Sequence, residues 1–261
     1  MAIASGFEIS EASKDDMAEV WQVCIAAYAS DEVWYQVFKN CKEEDIHPWI
    51  MAYLNERWIM PDIKTFKVTD VSTGKIAAWT ALEYPWKYVP AMDNDLKGHA
   101  LSEDMPPPLE GMNMEALLEF FISLTDSKNH GWNPEEDYHR KGTMVHPEYQ
   151  KRGFGTELTK HCNAISDKSG DRTWVPARPT SVNMFRENGF KDIGSVDAHL
   201  ERWGGPREKS ITWTLLRNAP SSQTVSNLDP IAGKDCCLAD SDREKVSGAR
   251  SGEDDLHFEA C

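Results

Sequence analysis

Apolar residues recur every three to four positions along several stretches of this 261-residue chain, a spacing that predicts amphipathic helices. The first such stretch runs from Met17 to Tyr28, and Ser13 and Asp16 before it have the spacing of a capping box. Pro48 falls in the first turn of the helical pattern at 45–58, where proline is tolerated. Further helical patterns occupy residues 31–40, 113–124 and 155–168.

Alternation of apolar and polar residues predicts short strands between these helices. Residues 64–71 and 75–84 are both β-like and are joined by the turn sequence Asp70-Val-Ser-Thr-Gly74, so they predict a hairpin. The strand predicted at 137–145 is unusually polar, since it begins Asp-Tyr-His-Arg-Lys. Other strand patterns lie at 7–10, 173–175 and 211–216.

Two regions lack any hydrophobic period. Residues 85–112 contain three consecutive prolines and have an aromatic lead-in, Tyr84, Trp86 and Tyr88. Loops of this length are either functional covers or disordered. We expect a segment that covers a substrate, with disorder as the alternative. From Ala219 onward large apolar residues are few, which predicts a disordered tail. The expected organisation is a domain at 1–217 followed by an acidic tail at 218–261.

The composition excludes several classes of protein. A net charge of −15 and a pI near 4.9 argue against a general nucleic-acid surface and against binding to anionic membranes. The start of the sequence lacks the pattern of a signal peptide, and no window approaches ~18 consecutive apolar residues. Six cysteines without Cys-x-x-Cys spacing predict reduced thiols and no metal site. We therefore expect a cytoplasmic protein. Its oligomeric state, monomer or homodimer, stays open.

The stretch from Val145 to Gly155 carries the clearest chemical signal. An extended segment ends at Val145, a His-Pro turn follows, and Gly153 and Gly155 open a helical pattern. Glycines let a ligand approach the backbone, and the unpaired amides and dipole of a helix N-terminus attract phosphate. Lys151 and Arg152 add two cations there.

Other readings of these glycines are weaker. A Gly-x-Gly pair alone also fits a simple tight turn. The chain contains no Gly-x-x-x-x-Gly-Lys-(Ser/Thr), which argues against a nucleoside-triphosphate loop. Leu158 occupies the position of the third glycine that a dinucleotide fold requires.

Two segments resemble the GCN5-related N-acetyltransferase (GNAT) family. Gln-Lys-Arg-Gly-Phe-Gly at 150–155 fits the family loop (Gln/Arg)-x-x-Gly-x-(Gly/Ala). Ala177–Phe190 is similar to the family's Ala-Ser-Pro-x-Gly-Val-x-Leu-Tyr-x-x-x-Gly-Phe segment, in the form common among fungal small-molecule acetyltransferases. The resemblance spans roughly 7–217 and implies an α/β fold with a mixed, mostly antiparallel sheet, splayed between its fourth and fifth strands.

The resemblance implies acetyl-CoA as co-substrate and no metal. The pantetheine arm would enter between the splayed strands and pair with the backbone of Met144 and Val145, while amides from Arg152 to Thr156 would hold the pyrophosphate. The expected cofactor-binding residues are Met144, Val145, Gln150, Lys151, Arg152, Gly153, Phe154, Gly155, Thr156, Asn183, Phe185 and Arg186.

The implied reaction is direct attack of an amine on the thioester, which requires a neutral amine, an oxyanion donor and a stabilised thiolate. The Met144 and Val145 amides are the expected oxyanion donors. Glu83, at the end of the third strand, is the first candidate base. His139 is the second, because the unperturbed pKa of histidine lies near neutrality. The alternative for both is a solvated or structural side chain.

The acid that would protonate the thiolate is the main departure from the family. Phe185 occupies the position where the family usually has a tyrosine. Tyr149 or Tyr138 could substitute, or the thiolate could leave unassisted, since a thiol with a pKa of about 8.5 is a tolerable leaving group.

The sequence thus predicts an acetyl-CoA-dependent N-acetyltransferase acting on a small amine. The alternative is a non-catalytic acyl-CoA-binding relative with a sensing or regulatory role. A histone-directed enzyme is a third, remote reading, favoured only by the acidic charge.

Overall fold

A computed structural model describes residues 3–55, 60–89 and 105–220. The helices of this part are α1 (Met17–Tyr28), α2 (Glu32–Phe38), α3 (Glu43–Asn55), α4 (Met114–Thr125), α5 (Phe154–Ser169) and α6 (Val182–Glu187). Its strands are β1 (Phe7–Glu11), β2 (Ile63–Asp70), β3 (Ile76–Glu83), β4 (Tyr138–Val145), β5 (Thr173–Ala177), β6 (Lys191–Asp197) and β7 (Ile211–Arg217).

The strands of the described ranges form one sheet in the order β1-β2-β3-β4-β5-β7-β6. The β4–β5 pair is parallel and the other neighbouring pairs are antiparallel. Because α5 connects the parallel pair, the chain crosses one face of the sheet between them. The predicted α/β fold with a mixed, mostly antiparallel sheet is confirmed.

Helices cover both faces of the sheet. Helices α1 to α4 pack on one face around a core that contains Trp21 and Trp79, whose ring centroids lie 5.6 Å apart. Helix α5 packs on the other face through Leu158 and Cys162. Strand β3 is buried along its whole length, which explains its dense apolar sequence.

Most predicted elements are present, with shifted ends. The Asp16 carboxylate accepts a hydrogen bond from the Ser13 amide at 2.7 Å, as in a capping box. Strands β2 and β3 form the predicted hairpin around Gly74, which adopts a φ of 72°. The position predicted for Pro48 is wrong: α3 begins at Glu43, so the proline lies inside the helix rather than in its first turn.

The polar residues of β4 are accommodated by specific partners. Asp137, just before the strand, accepts hydrogen bonds from Arg172 at 2.7 and 2.8 Å. Lys141 pairs with Glu83 at 3.1 Å. These ion pairs compensate the buried charges of Asp137 and Lys141 in the middle of the sheet.

Two predictions extend beyond the described residues. The expected covering segment at 85–112 includes residues 90–104, and the expected tail includes 221–261, and both of these ranges lie outside the described residues. Within the described ranges, no helix has both the length and the apolar character needed to cross a membrane.

Candidate active site

Strands β4 and β5 separate shortly after they meet. They pair at Tyr138 with Thr173 and at His139 with Trp174. From there to Val145, β4 is paired with β3 but not with β5. A cleft of about 700 Å³ fills the gap. Its walls include Gly142 to Val145 of β4 and Val175 and Pro176 of β5. The splay implied by the resemblance is therefore present.

The pairing of β4 with β3 decides which of its backbone groups face the cleft. The His146 amide donates to the Ala77 carbonyl of β3 at 2.9 Å, and Met144 is registered with Trp79. Hydrogen-bonding direction alternates along an antiparallel strand, so the Met144 amide also faces β3. The amides of Thr143 and Val145 face the cleft instead. The Val145 carbonyl confirms this direction, since it accepts a hydrogen bond from Gln150 Nε2 at 3.3 Å.

The glycine loop forms a cradle of amides at the open end of the cleft. Gly153 caps α5 with a φ of 84°, a conformation that strongly favours glycine. The first helical hydrogen bond is donated by the Glu157 amide to the Gly153 carbonyl at 3.0 Å. The amides of Phe154, Gly155 and Thr156 therefore have no intrahelical acceptor, and all three residues line the cleft.

Most of the expected cofactor-binding residues lie together. Those lining the cleft are Met144, Val145, Gln150, Lys151, Gly153, Phe154, Gly155, Thr156 and Phe185. Arg152, Asn183 and Arg186 are not among the lining residues. Arg152 donates to the Glu148 carbonyl at 3.3 Å. Arg186 is bound by Asp192 at 2.6 and 2.9 Å and by Asn183 at 3.0 Å.

The two candidate bases lie away from the cleft. Glu83 is registered with His139, whereas Thr143, which lines the cleft, is registered with Thr80, three residues earlier on β3. At about 3.3 Å per residue, Glu83 is about 10 Å from the position of Thr143 along the strand. His139 is buried against Trp132 and lies 3.1 Å from the Ser127 hydroxyl. Burial, and secondarily Lys141, lowers the pKa of His139 well below its usual value, so it is neutral.

The two tyrosines considered as thiolate acids are also outside the lining of the cleft. The Tyr149 ring packs edge-on against Phe7 at 6.0 Å, under the Arg152 guanidinium. Tyr138 is fully buried, and this burial raises its pKa to about 12. Phe185 does line the cleft, but its ring has no proton to donate.

The half of the cleft opposite the cradle was not predicted from the sequence. Asp31 and Glu32 line it from the N-terminal end of α2, and Arg178 lines it from the segment after β5. Asp31 caps α2 by accepting from the Val33 amide at 2.9 Å, and its second oxygen lies 3.5 Å from Arg178 Nε. The only feature of the sequence that pointed to this region was the helical pattern that begins at Asp31.

A family model described as "Acetyltransferase (GNAT) domain" matches residues 124–199. The matched segment includes β4, the glycine loop, α5 and the segment 177–190. Residues 124–199 thus resemble a GNAT acetyltransferase domain. The matched segment holds the strand edge and the amide cradle described above, and the match supports acetyl-CoA-dependent acetyl transfer in general.

Solved structures of acetyltransferases are similar to this chain at low sequence identity. One is a crystal structure titled histone acetyltransferase HPA2 and related acetyltransferase, from Corynebacterium glutamicum. It is 13% identical, with a TM-score of 0.53 over 84% of this chain and 99% of that one. Another is the ribosomal-protein-S18-alanine N-acetyltransferase of Escherichia coli, 13% identical, with a TM-score of 0.46 over 85% and 99% of the two chains. No curated protein matches the sequence.

Proposed function

We propose that the protein is an N-acetyltransferase that moves the acetyl group of acetyl-CoA to an amine of a small molecule, by direct attack in a ternary complex. One observation carries the proposal: a free strand edge and the unpaired amides at the start of α5 line the same cleft. An extended arm can pair with the edge while its phosphates meet the amides.

This geometry supports one position for the thioester. The phosphates lie at the open end of the cleft, so the arm runs along β4 past Val145 toward Thr143. The pairing of His139 with Trp174 closes the cleft beyond that point. The reactive end of acetyl-CoA therefore lies near Thr143, and the cleft-facing amides of Thr143 and Val145 replace the Met144 amide as donors to the arm and the oxyanion.

The acceptor half of the cleft supports an amine substrate. Asp31 and Glu32 are carboxylates that line it, beside the rings of Tyr28 and Phe120. Carboxylates attract an ammonium group, and aromatic faces bind its alkyl part or the cation itself. Since Glu83 and His139 lie outside the cleft, we assign removal of the amine proton to Asp31 or Glu32.

The test is release of free thiol from acetyl-CoA in the presence of a panel of small amines. We expect turnover with at least one cationic amine, and none with Gly153→Glu, whose carboxylate would occupy the phosphate cradle. Gly74→Glu is a matched control, because Gly74 also has a positive φ and open space around it but lies in the hairpin turn. Absence of turnover with every amine, despite CoA binding, would contradict the proposal.

A non-catalytic acyl-CoA-binding protein is the second candidate. It is favoured by the Phe185 ring, which donates no proton, and by the engagement of Glu83 and His139 elsewhere. In that case CoA would raise the melting temperature, Gly153→Glu would remove this effect, and no amine would be acetylated.

A further inference from the structure

Arg140 is a buried cation at the closed end of the cleft. It follows the last β4–β5 pair, its side chain is 0% exposed, and its guanidinium lies 5.7 Å from the centre of the Phe185 ring. Among the described residues it has no carboxylate partner, and its Nε and Nη1 atoms have no hydrogen-bond acceptor. Burial of an unpaired charge is costly, so an anion that approaches this position would be stabilised.

The hydrogen bonds of Arg140 lead to the cleft through Thr143. Arg140 Nη2 donates to the hydroxyls of Thr80 at 2.6 Å and Thr143 at 2.9 Å. Thr143 lines the cleft. Because a guanidinium only donates, the Thr143 oxygen accepts from it and keeps its own proton to donate.

The hydroxyl proton of Thr143 can be donated to Thr80, and a ligand in the cleft could take the place of Thr80 as its acceptor. The two threonine hydroxyls are 2.9 Å apart, and Thr80 Oγ1 can donate its proton to the Gly142 carbonyl at 2.7 Å. With that arrangement Thr143 donates to Thr80. An anion in the cleft could take this hydrogen bond while Arg140 continues to polarise the hydroxyl.

We propose that the Thr143 hydroxyl, polarised by Arg140, donates a hydrogen bond to the CoA thiolate as it leaves. The inference rests on the proposed function, which places the thioester beside Thr143. Thr143 is then a catalytic residue that contacts the sulfur, and Arg140 is a positioning residue that acts through it. Together they supply stabilisation that Phe185 cannot.

The step balances without an added acid. The amine nitrogen forms a bond to the thioester carbon, the C–S bond breaks, and its electron pair stays on sulfur as a thiolate. Thr143 donates a hydrogen bond and keeps its proton. An ammonium substrate first loses one proton, so that a neutral amine attacks, and the nitrogen then loses a second proton to a cleft carboxylate, which passes it to solvent. The thiolate takes up one proton from solvent, so ammonium and acetyl-CoA give amide, CoA and one proton.

The binding of CoA and of desulfo-CoA, which lacks the thiol, tests the proposal without knowledge of the acceptor. Both probes use the same phosphate and pantetheine contacts, so their affinity ratio isolates the sulfur. We expect the preference for CoA to grow as pH rises, with a midpoint below the value of about 8.5 for a free thiol. At the plateau the preference should be about tenfold, as for a hydrogen bond to a charged group.

Substitutions test whether the preference for CoA over desulfo-CoA comes from the Thr143 hydroxyl. Thr143→Val, which keeps the shape of the side chain, should remove the preference, and Thr143→Ser should retain it. Thr69→Val is a matched control, since it removes a buried hydroxyl from β2, outside the cleft. Arg140→Gln should raise the midpoint toward that of the free thiol. If that variant does not fold, the Thr143 series decides alone.

The outcomes separate the two proposals. Equal binding of CoA and desulfo-CoA to the wild-type protein at every pH would overturn the role of Thr143 and leave the CoA site intact. A preference that survives in Thr143→Val would also overturn it. Failure of both probes to bind would refute the proposed function itself.

Discussion

At the scale of single residues, the two glycines of the cradle have different requirements. Gly153 has a φ of 84°, whereas Gly155 has an ordinary φ and the nearest atoms to a Cβ there would be 3.8 and 3.9 Å away. Gly153→Ala should lower the free energy of unfolding by about 1–2 kcal/mol, because alanine disfavours the left-handed region. Gly155→Ala should be neutral or stabilising by up to about 1 kcal/mol, since alanine favours helices.

Urea unfolding of both variants measures these changes, and calorimetric titration with CoA measures binding. The Gly155→Ala protein should bind CoA as the wild type does. A loss of stability in Gly155→Ala as large as that in Gly153→Ala would show that backbone conformation is not what distinguishes the two positions.

Buried His139 predicts a stability that depends on pH. Its pKa is lowered in the folded protein by burial and by Lys141, so below about pH 6.5 the unfolded chain binds a proton that the folded protein does not. Its contribution is therefore complete above that pH and is lost as pH falls, by up to about 1.4 kcal/mol per pH unit. His139→Gln should flatten the curve of unfolding free energy between pH 7 and about 5.5.

Other groups titrate equally in both proteins, so the difference between the two curves reports His139. Parallel curves would mean that the folded protein protonates this side chain as readily as the unfolded chain. The same burial explains why sequence reasoning misjudged its availability, because the pKa of an isolated histidine says nothing about Ser127 and Trp132 packed around it.

At the scale of elements, the free edge of β4 gives a prediction for each amide. The Thr143 and Val145 amides face the cleft, so they should exchange hydrogen rapidly without ligand and slowly with CoA bound. The Met144 amide faces β3 and should be protected in both states. Hydrogen exchange followed by NMR resolves the three amides. Protection of Met144 only when CoA is bound would contradict the assigned register.

The alternating directions of the β4 amides show which features of the site could be predicted from the sequence. The strand, the glycine loop and the following helix are local features, and each was predicted from its own residues. Which side of β4 faces the cleft depends on its register with β3, since a shift of one residue exchanges the two sides. That register comes from contacts between distant parts of the chain, so Met144 and Val145 could not be distinguished beforehand.

The start of α3 shows a similar limit within a single element. Glu43, Glu44 and Asp45 form an acidic first turn, which suits the positive end of a helix. The sequence analysis predicted that this helix begins at residue 45, because proline is favoured in the first turn of a helix and Pro48 would then lie there. Packing of Trp49, Ile50 and Tyr53 into the core supports the longer helix despite its internal proline.

At the scale of the whole molecule, the two parts of the sheet are joined by a short parallel ladder, two residue pairs long in the described chain. A ligand that bonds to β4 and to the start of α5 adds contacts where the ladder ends. CoA should therefore raise the melting temperature, with a stabilisation of about 2.7 kcal/mol at a hundred times its dissociation constant.

Differential scanning fluorimetry over a CoA series measures this effect. Gly153→Glu should abolish it and Gly74→Glu should leave it intact. The residues that line the acceptor half of the cleft could not be predicted from the sequence. They come from α1, α2, α4 and the segment after β5, which meet only in the folded protein.

The splay of β4 and β5 also bears on how the protein would turn over. The phosphates and the pantetheine arm are identical in acetyl-CoA and in free CoA, and acetyl transfer changes none of their bonds to the protein. The product therefore keeps nearly all of the attraction that held the substrate. Free CoA should compete directly with acetyl-CoA, and its departure, rather than the chemical step, should set the steady-state rate.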